Sequence, residues 1–385
     1  MTETSDLIVF WIVVLARLLI PLAIPRFPLP AIMAALILDA IDQTIFQQFT
    51  NLDLSGYQGY DKALDIYYLT VAYIATLRNW SSLFAFKMGR FLWYYRLLGV
   101  VLFEYIGNRA ILFIFPNTFE YFFIYYEIVR LRWDPRRMSK KAIVIATAAI
   151  WIFIKLPQEY WIHIAQLDMT DFLKENIFHV PLDAGLEEIL AANPWLIPTL
   201  IILVVVIIVG GRWLMRKLPP KDWGLSFDAD SHQDEETGYV ETETVKPVSD
   251  HFFNNVLLEK IVLVSMVSLI FGKILPNRTA SDLQLLVGIA FVIIANTAIS
   301  HWLAKRGREW SHTLTQFVVM AALNFGLALL YSWLLPRFEG SADLGTMLFF
   351  VLLLTLIITL FDKYHPVYQA RFAEKPAEIA GEASA

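Results

Sequence analysis

The chain has no cysteine. Disulfides, thiol catalysis, thiolate metal sites and S-palmitoylation are therefore excluded, while the redox compartment stays open. Charge is scarce as well: 17% of the 385 residues are charged and 57% are hydrophobic. An ordinary soluble domain carries about 25% charged residues, so this composition points to a membrane protein. There is no basic excess either, with 31 Lys and Arg against 36 Asp and Glu and a net charge of −5. No basic domain is left for nucleic acid, which is excluded as a partner. Neither a Walker pattern, a Gly-rich phosphate loop nor a Ser-His-Asp order is legible. No sequence repeat relates the two halves, so nothing supports an inverted-repeat transporter.

What the chain does have is long apolar runs. They predict an all-α polytopic membrane bundle of about eleven spans, range nine to twelve: roughly 7–24, 31–49, 63–78, 83–106, 111–131, 141–156, 194–213, 252–275, 283–304, 313–335 and 344–361. The sixth ends at Pro157 or runs on through EYWIHIAQL as an interfacial helix. The first follows MTETSD, without a basic n-region or a small-residue cleavage site, and is expected to be retained as a span. Aromatic residues, at 15%, suit interfacial Trp and Tyr belts.

Basic residues set the orientation. Arg130, Arg132, Arg136, Arg137, Lys140 and Lys141 crowd one short loop, while Arg212, Arg216 and Lys217 close the seventh span. An eleven-span count puts both clusters, and Lys305 to Arg308, on one side, which the positive-inside rule assigns to the cytoplasm. The N-terminus is then outside and the C-terminus inside, with the plasma membrane of a prokaryote as the expected location. The chain divides into a charged N-terminal bundle (1–217, six or seven spans), an acidic flexible cytoplasmic linker (218–251), an apolar four-span bundle (252–365) and a disordered tail (366–385).

Acids line the early spans with helical spacing. In the second span Asp39, Asp42, Gln43 and Gln47 share an arc of roughly 140° at 100° per residue. The third repeats the pattern with Asp61, Asp65 and Tyr68, and the fourth aligns Lys87, Arg90, Tyr94 and Glu104. On the fifth, Asn117, Glu120 and Glu127 share a face, with Glu127 placed to pair with Arg90 or Arg17. A carboxylate in mid-bilayer costs roughly 2.5–3.5 kcal/mol on insertion scales, so these faces should turn inward, onto one polar cavity. Arg96 points away from its own polar face and must snorkel or meet another helix.

Weaker constellations accompany them. Asp39 and Asp42 form a minimal candidate pair for Mg²⁺, because hard oxygen ligands suit that ion. Glu159 and His163 supply two metal ligands without an evident third, so an interfacial helix is the favoured reading there. Asn296, Ser300 and His301, with Gln316 and Asn324, are expected to make interhelical hydrogen bonds, and Ala322 and Gly326 to permit close helix contact.

Two functional classes fit. The first is a proton- or cation-coupled carrier or channel for a small solute or lipid, with Asp39, Asp42, Gln43, Asp65, Tyr68, Arg90, Tyr94, Glu104, Glu120 and Glu127 along the pathway. The second is a membrane-embedded enzyme acting on a lipid or isoprenoid, with Asp39 and Asp42 as metal ligands or acid–base groups. A structural subunit of a membrane complex, docking a protein partner through the linker, is a third. Acids at several depths favour the carrier. No cofactor is implied beyond the candidate metal.

Overall fold

The computed structural model describes residues 3–51, 57–167, 169–231, 254–274, 281–305, 313–334 and 344–373. Among them every regular element is a helix. Among the described residues, eight helical stretches are long and apolar enough to cross a membrane. Two come first, α1 (Glu3–Leu19, continued by a 3-10 turn to Ala23) and α2 (Pro28–Phe49). The third runs from α7 (Lys140–Ala149) through a π turn into α8 (Leu156–Glu159) and a second π turn ending at Ile164. Then come α11 (Leu196–Lys217), α12 (Asn255–Ile274), α13 (Asp282–Lys305), α14 (Thr313–Leu334) and α15 (Leu344–Ala373). Short helices α9 (Met169–Leu173) and α10 (Leu186–Ala192) link α8 to α11.

Two further helices, α3 (Tyr57–Asn79) and α4 (Leu83–Ile106), are as long but more polar. Their polarity explains their place. α3 is packed by α1, α2, α4, α12 and α15, and every residue from 66 to 77 is buried. A helix covered on all sides keeps its charged groups away from lipid, provided each finds a partner within the protein. Next to α3 lies an aromatic layer in which the Trp80 ring stands 4.1 Å from Tyr126 and 5.9 Å from Phe123.

The fifth predicted span is broken. α5 (Ala110–Ile114) and α6 (Thr118–Arg130) are separated at Pro116, which has no N–H and disfavours helical backbone at Phe115. The backbone groups freed by the break are satisfied from neighbouring helices. Tyr95 Oη donates to the Ile114 carbonyl at 2.9 Å, Arg96 Nη1 to the Phe115 carbonyl at 3.0 Å, and the Asn117 N–H to Glu159 at 2.9 Å. Arg96 thus meets another helix rather than snorkelling. α4 comes so close at Gly99 that a Cβ there would lie 2.2 Å from the Phe115 Cβ, which fixes glycine at this position.

The sixth predicted span does not stop at Pro157; its helix continues to Ile164, and the two π turns absorb the proline. α15 runs to Ala373, so residues 366–373 of the predicted disordered tail are helical and only 374–385 lie outside the described residues. The division at the linker is one of composition and not of packing. Leu263, Val267 and Phe361 from the back half share one apolar core with Tyr73, Phe86 and Trp93 from the front. Ala322 and Gly326 are exposed, with nothing within 4 Å of a Cβ built at Gly326, so the expected close contact there is not made. Of the expected hydrogen bonds the pair Asn296 and Asn324 is made, with Asn296 donating to Asn324 at 2.6 Å and Asn324 to Thr355 at 2.9 Å, whereas the buried Ser300 hydroxyl meets no partner among the described residues. α11 stands apart, with its side chains from Ile197 to Val209 exposed. An aliphatic helix open on every side is one that acyl chains solvate.

The start of the predicted flexible linker is packed. Residues 222–230 lie along the arginine-rich end of the bundle, where Asp222 accepts from Arg137 at 2.7 Å and Asp230 from Arg78 at 2.5 Å. Residues 232–251 lie outside the described residues. In the loop between α6 and α7, Asp134 accepts from Arg136 at 2.8 to 3.0 Å and caps its N–H at 2.9 Å. Burial pushes the Asp134 carboxyl up, but the bonds from Arg136 outweigh it and hold the group below the usual carboxylate range. A depressed folded value means stability that is present above the unfolded pKa of about 3.9 and is lost as pH falls through the folded one. Acidification should therefore loosen residues 131–139, seen as faster hydrogen exchange, by less than about 1 kcal/mol because the pair is partly solvated. Asp134→Asn should remove that acid dependence; exchange with the same pH profile in both proteins would rule it out.

Candidate functional site

Arg17 is the lone basic residue of α1, placed near its end. Its guanidinium is shared by four aspartates from two other helices. Asp39 and Asp42 of α2 contact Nη2 and Nη1, and from α3 Asp61 and Asp65 accept at 2.9 and 3.1 Å. The 3-4 spacing on both helices produces this, because it puts each acid pair on one face and α1 closes over both. Arg17 and Asp42 are buried, at 3% and 0% side-chain exposure, while Asp61 and Asp65 keep about a third of theirs.

One turn further along α3, Tyr68 Oη donates to Glu120 in the first turn of α6. Glu120 also accepts from Asn117 Nδ2 at 3.1 Å and pairs with Lys155 at 3.2 Å. Lys155 lies in the π turn ahead of α8, donates to Gln158 at 3.0 Å and sits 4.1 Å from the centre of the Tyr121 ring. One turn on, Glu159 accepts from the Asn117 N–H, pairs with His163 at 2.9 Å and lies 3.7 Å from Arg96. The helix break is thus the meeting point of α3, α4, α6 and the α7–α8 rod. Tyr68 lies three residues, about one turn, from Asp65 of the Arg17 cluster on α3.

The remaining predicted site residues go elsewhere. Gln43 is exposed and joins no cluster. Glu104 faces Lys62 at 3.9 Å. Glu127 pairs with neither Arg90 nor Arg17: it accepts from Trp80 Nε1 at 2.9 Å and from Arg130 at 3.0 Å. Arg90 turns to Glu259 of α12 at 3.3 Å, where Tyr73 also donates at 2.6 Å and His365 lies at 3.9 Å. Tyr94 stands edge-on to Tyr73, with ring centres 5.7 Å apart. The polar faces therefore build several separate ion-pair networks. A depression of about 600 Å³ opens beside Gly107, Arg109, His163 and Gln166, away from the Arg17 cluster.

Metal-ligating geometry also differs from the expected pair. Carboxylate oxygens of Asp39, Asp61 and Asp65 lie within 4.8 Å of one another, a group that excludes Asp42. Oxygen donors at that spread suit a hard divalent cation, although Arg17 occupies the same donors. Sequence reasoning missed Arg17 as a centre, and missed Lys155, Glu259 and His365. The signal for Arg17 was its isolation in an apolar span, since a guanidinium there requires a counter-charge. Glu259, an acid inside the eighth predicted span, carried the same kind of signal, whereas His365 lies beyond the last predicted span.

No family model matches the chain, and no curated protein or solved structure matches it. What fold and composition define is a class: an integral membrane protein made of helices, with several able to span the bilayer. Within that class the distinguishing feature is a single arginine held among four aspartates.

Proposed function

We propose that the protein is a carrier for a small solute or lipid, coupled to protons or cations at the Arg17 cluster. The observation that carries this reading is one guanidinium shared by Asp39, Asp42, Asp61 and Asp65. One positive charge can balance only one of four carboxylates, and the burial of Arg17 and Asp42 penalises an excess of charge at that end of the cluster. Protons or a further cation make up the difference, so the cluster is a place where such ions are taken up and released. The broken α5–α6 segment supports the reading, because discontinuous helices with satisfied backbone groups are where membrane carriers build their sites. Purified protein in liposomes tests it: flux driven by a pH or cation gradient is expected, and its absence across a panel of solutes and lipids sinks the carrier.

A second reading rests on the three-carboxylate group. With a divalent cation on Asp39, Asp61 and Asp65, the protein is a membrane-embedded enzyme acting on a lipid. Calorimetry with Mg²⁺ separates the two. Stoichiometric binding lost in Asp61→Asn, together with no flux, moves the assignment to the enzyme.

The topology that goes with either has eleven crossings, the eight apolar helices together with α3, α4 and the α5–α6 pair, in the plasma membrane of a prokaryote. Supporting it, Arg26, Arg78, Arg130 and Arg137 gather at one end of the bundle, where Arg371 of α15 donates to the carbonyls of Arg78 and Trp80 at 2.6 and 2.9 Å. Such an arginine-rich end belongs in the cytoplasm. The cysteine-free chain permits a direct check: Ser231→Cys should react with an impermeant thiol reagent only from the cytoplasmic side. Reaction from outside intact cells would reverse the orientation.

A further inference from the structure

We propose that residues 222–231 form a latch closing the arginine-rich end of the bundle over Glu127, and that Glu127 is the carboxylate reached from that end when the latch opens. The latch has two anchorages. At the first, the Asp222 N–H donates to the Arg132 carbonyl at 2.9 Å, Asp222 pairs with Arg137, and Trp223 Nε1 donates to the Arg130 carbonyl at 3.0 Å. At the second, the Ala229 N–H donates to the Arg26 carbonyl at 2.8 Å, while Asp228 and Asp230 pair with Arg26 at 3.3 Å and Arg78 at 2.5 Å. Between the anchorages the chain crosses Glu127, and the space left among Leu29, Glu127, Arg130, Phe227 and Ala229 is about 10 Å³. That is on the order of a single water.

Arg130 joins the latch to the acid. Its Nη1 donates to Glu127 at 3.0 Å and its Nη2 to the Ala229 carbonyl at 2.9 Å. Glu127 is 4% exposed with the latch in place. Lifting residues 222–231 removes the Ala229 carbonyl from Arg130 and opens Glu127 to water in one movement. Glu127 lies two turns from Glu120 on the same helix, α6, so the latch covers the α6 acid nearest the arginine-rich end. What holds it is weak enough to reverse: Arg26 and Arg137 are 65% exposed, and ion pairs so placed contribute little and are screened by salt.

Only the consequence of opening rests on the carrier reading; the latch itself is tested without it. Leu29→Cys places a thiol in the covered gap of the full-length protein, held in lipid nanodiscs with both faces accessible. Labelling by a water-soluble thiol reagent should be slow, and about tenfold faster when Asp228→Asn and Asp230→Asn remove two pairs. Exchanging the charges with Arg78→Asp and Asp230→Arg should return it toward the slow rate. If the double variant does not fold, the Leu29→Cys protein is labelled at about 0.1 M and 1 M salt, where the screening length falls from roughly 10 to 3 Å. Faster labelling at high salt supports the latch; equal rates overturn it. Accelerated labelling in a protein without flux removes the carrier and leaves the latch standing.

Discussion

Arg17→Gln should leave little folded protein. The substitution takes the shared guanidinium from four carboxylates, two of them in contact with it at the buried end of the cluster. Removing one partner of a buried ion pair costs about 3–5 kcal/mol, because the remaining charge is left without compensation. Here four acids from α2 and α3 lose the same partner, so the loss should sit at the upper end of that range and approach the whole stability of a marginal fold. Detergent-extracted protein should be sparse and aggregated, with the surviving fraction melting well below the parent. A second variant distinguishes charge from shape. Arg17→Gln combined with Asp39→Asn and Asp42→Asn removes acid together with base, and should recover much of the lost stability. A neutral hydrogen-bonded cluster is often no worse than a charged one of similar volume. If Arg17→Gln alone melts like the parent, the four-aspartate cluster is not a stability element, and its ionic reading falls with it.

The acids of this cluster were legible in the sequence, whereas their centre was not. Asp39 and Asp42, or Asp61 and Asp65, are neighbours on one helix, and helical periodicity alone puts each pair on a face. Arg17 lies 22 to 48 residues away from them, and periodicity says nothing about which helix closes over which face. Glu127 shows the same limit from the other side. Depth in the membrane suggested Arg17 or Arg90, but Arg130, three residues along the same helix, is nearer and takes the pair. Hydropathy showed that the chain belongs in a bilayer, yet it read 111–131 as one continuous span. Pro116 carried the evidence for a break, which needs Tyr95, Arg96 and Glu159 to satisfy the freed backbone, and such support is a property of tertiary packing. Composition also misled at the linker. Its acids, read as a reason for disorder, are at Asp222, Asp228 and Asp230 the counter-charges of the arginines beneath.

Tyr68→Phe should reduce gradient-driven flux by about a hundredfold, a loss typical of removing a positioned proton-transfer group, while leaving the fold in place. Tyr68 lies one turn along α3 from Asp65 of the Arg17 cluster and donates to Glu120. If protons pass between the two clusters, its hydroxyl can accept one and give one up, and a phenyl ring can do neither. The structural cost is small by comparison. Losing a hydrogen bond to a charged group costs about 1.5–3 kcal/mol, and the ring keeps its packing. Glu120→Gln is a less clean test, because it leaves the buried Lys155 ammonium without its carboxylate and brings the larger penalty of a broken ion pair. Asp42→Asn suffers likewise through Arg17. Melting temperature and flux are therefore measured side by side on the Phe variant. A modest drop in melting with flux nearly abolished assigns Tyr68 to the path between the clusters. A variant that loses stability yet transports within about twofold of the parent, far from the effect of a lost proton-transfer group, makes Tyr68 a packing residue and leaves the two clusters unconnected.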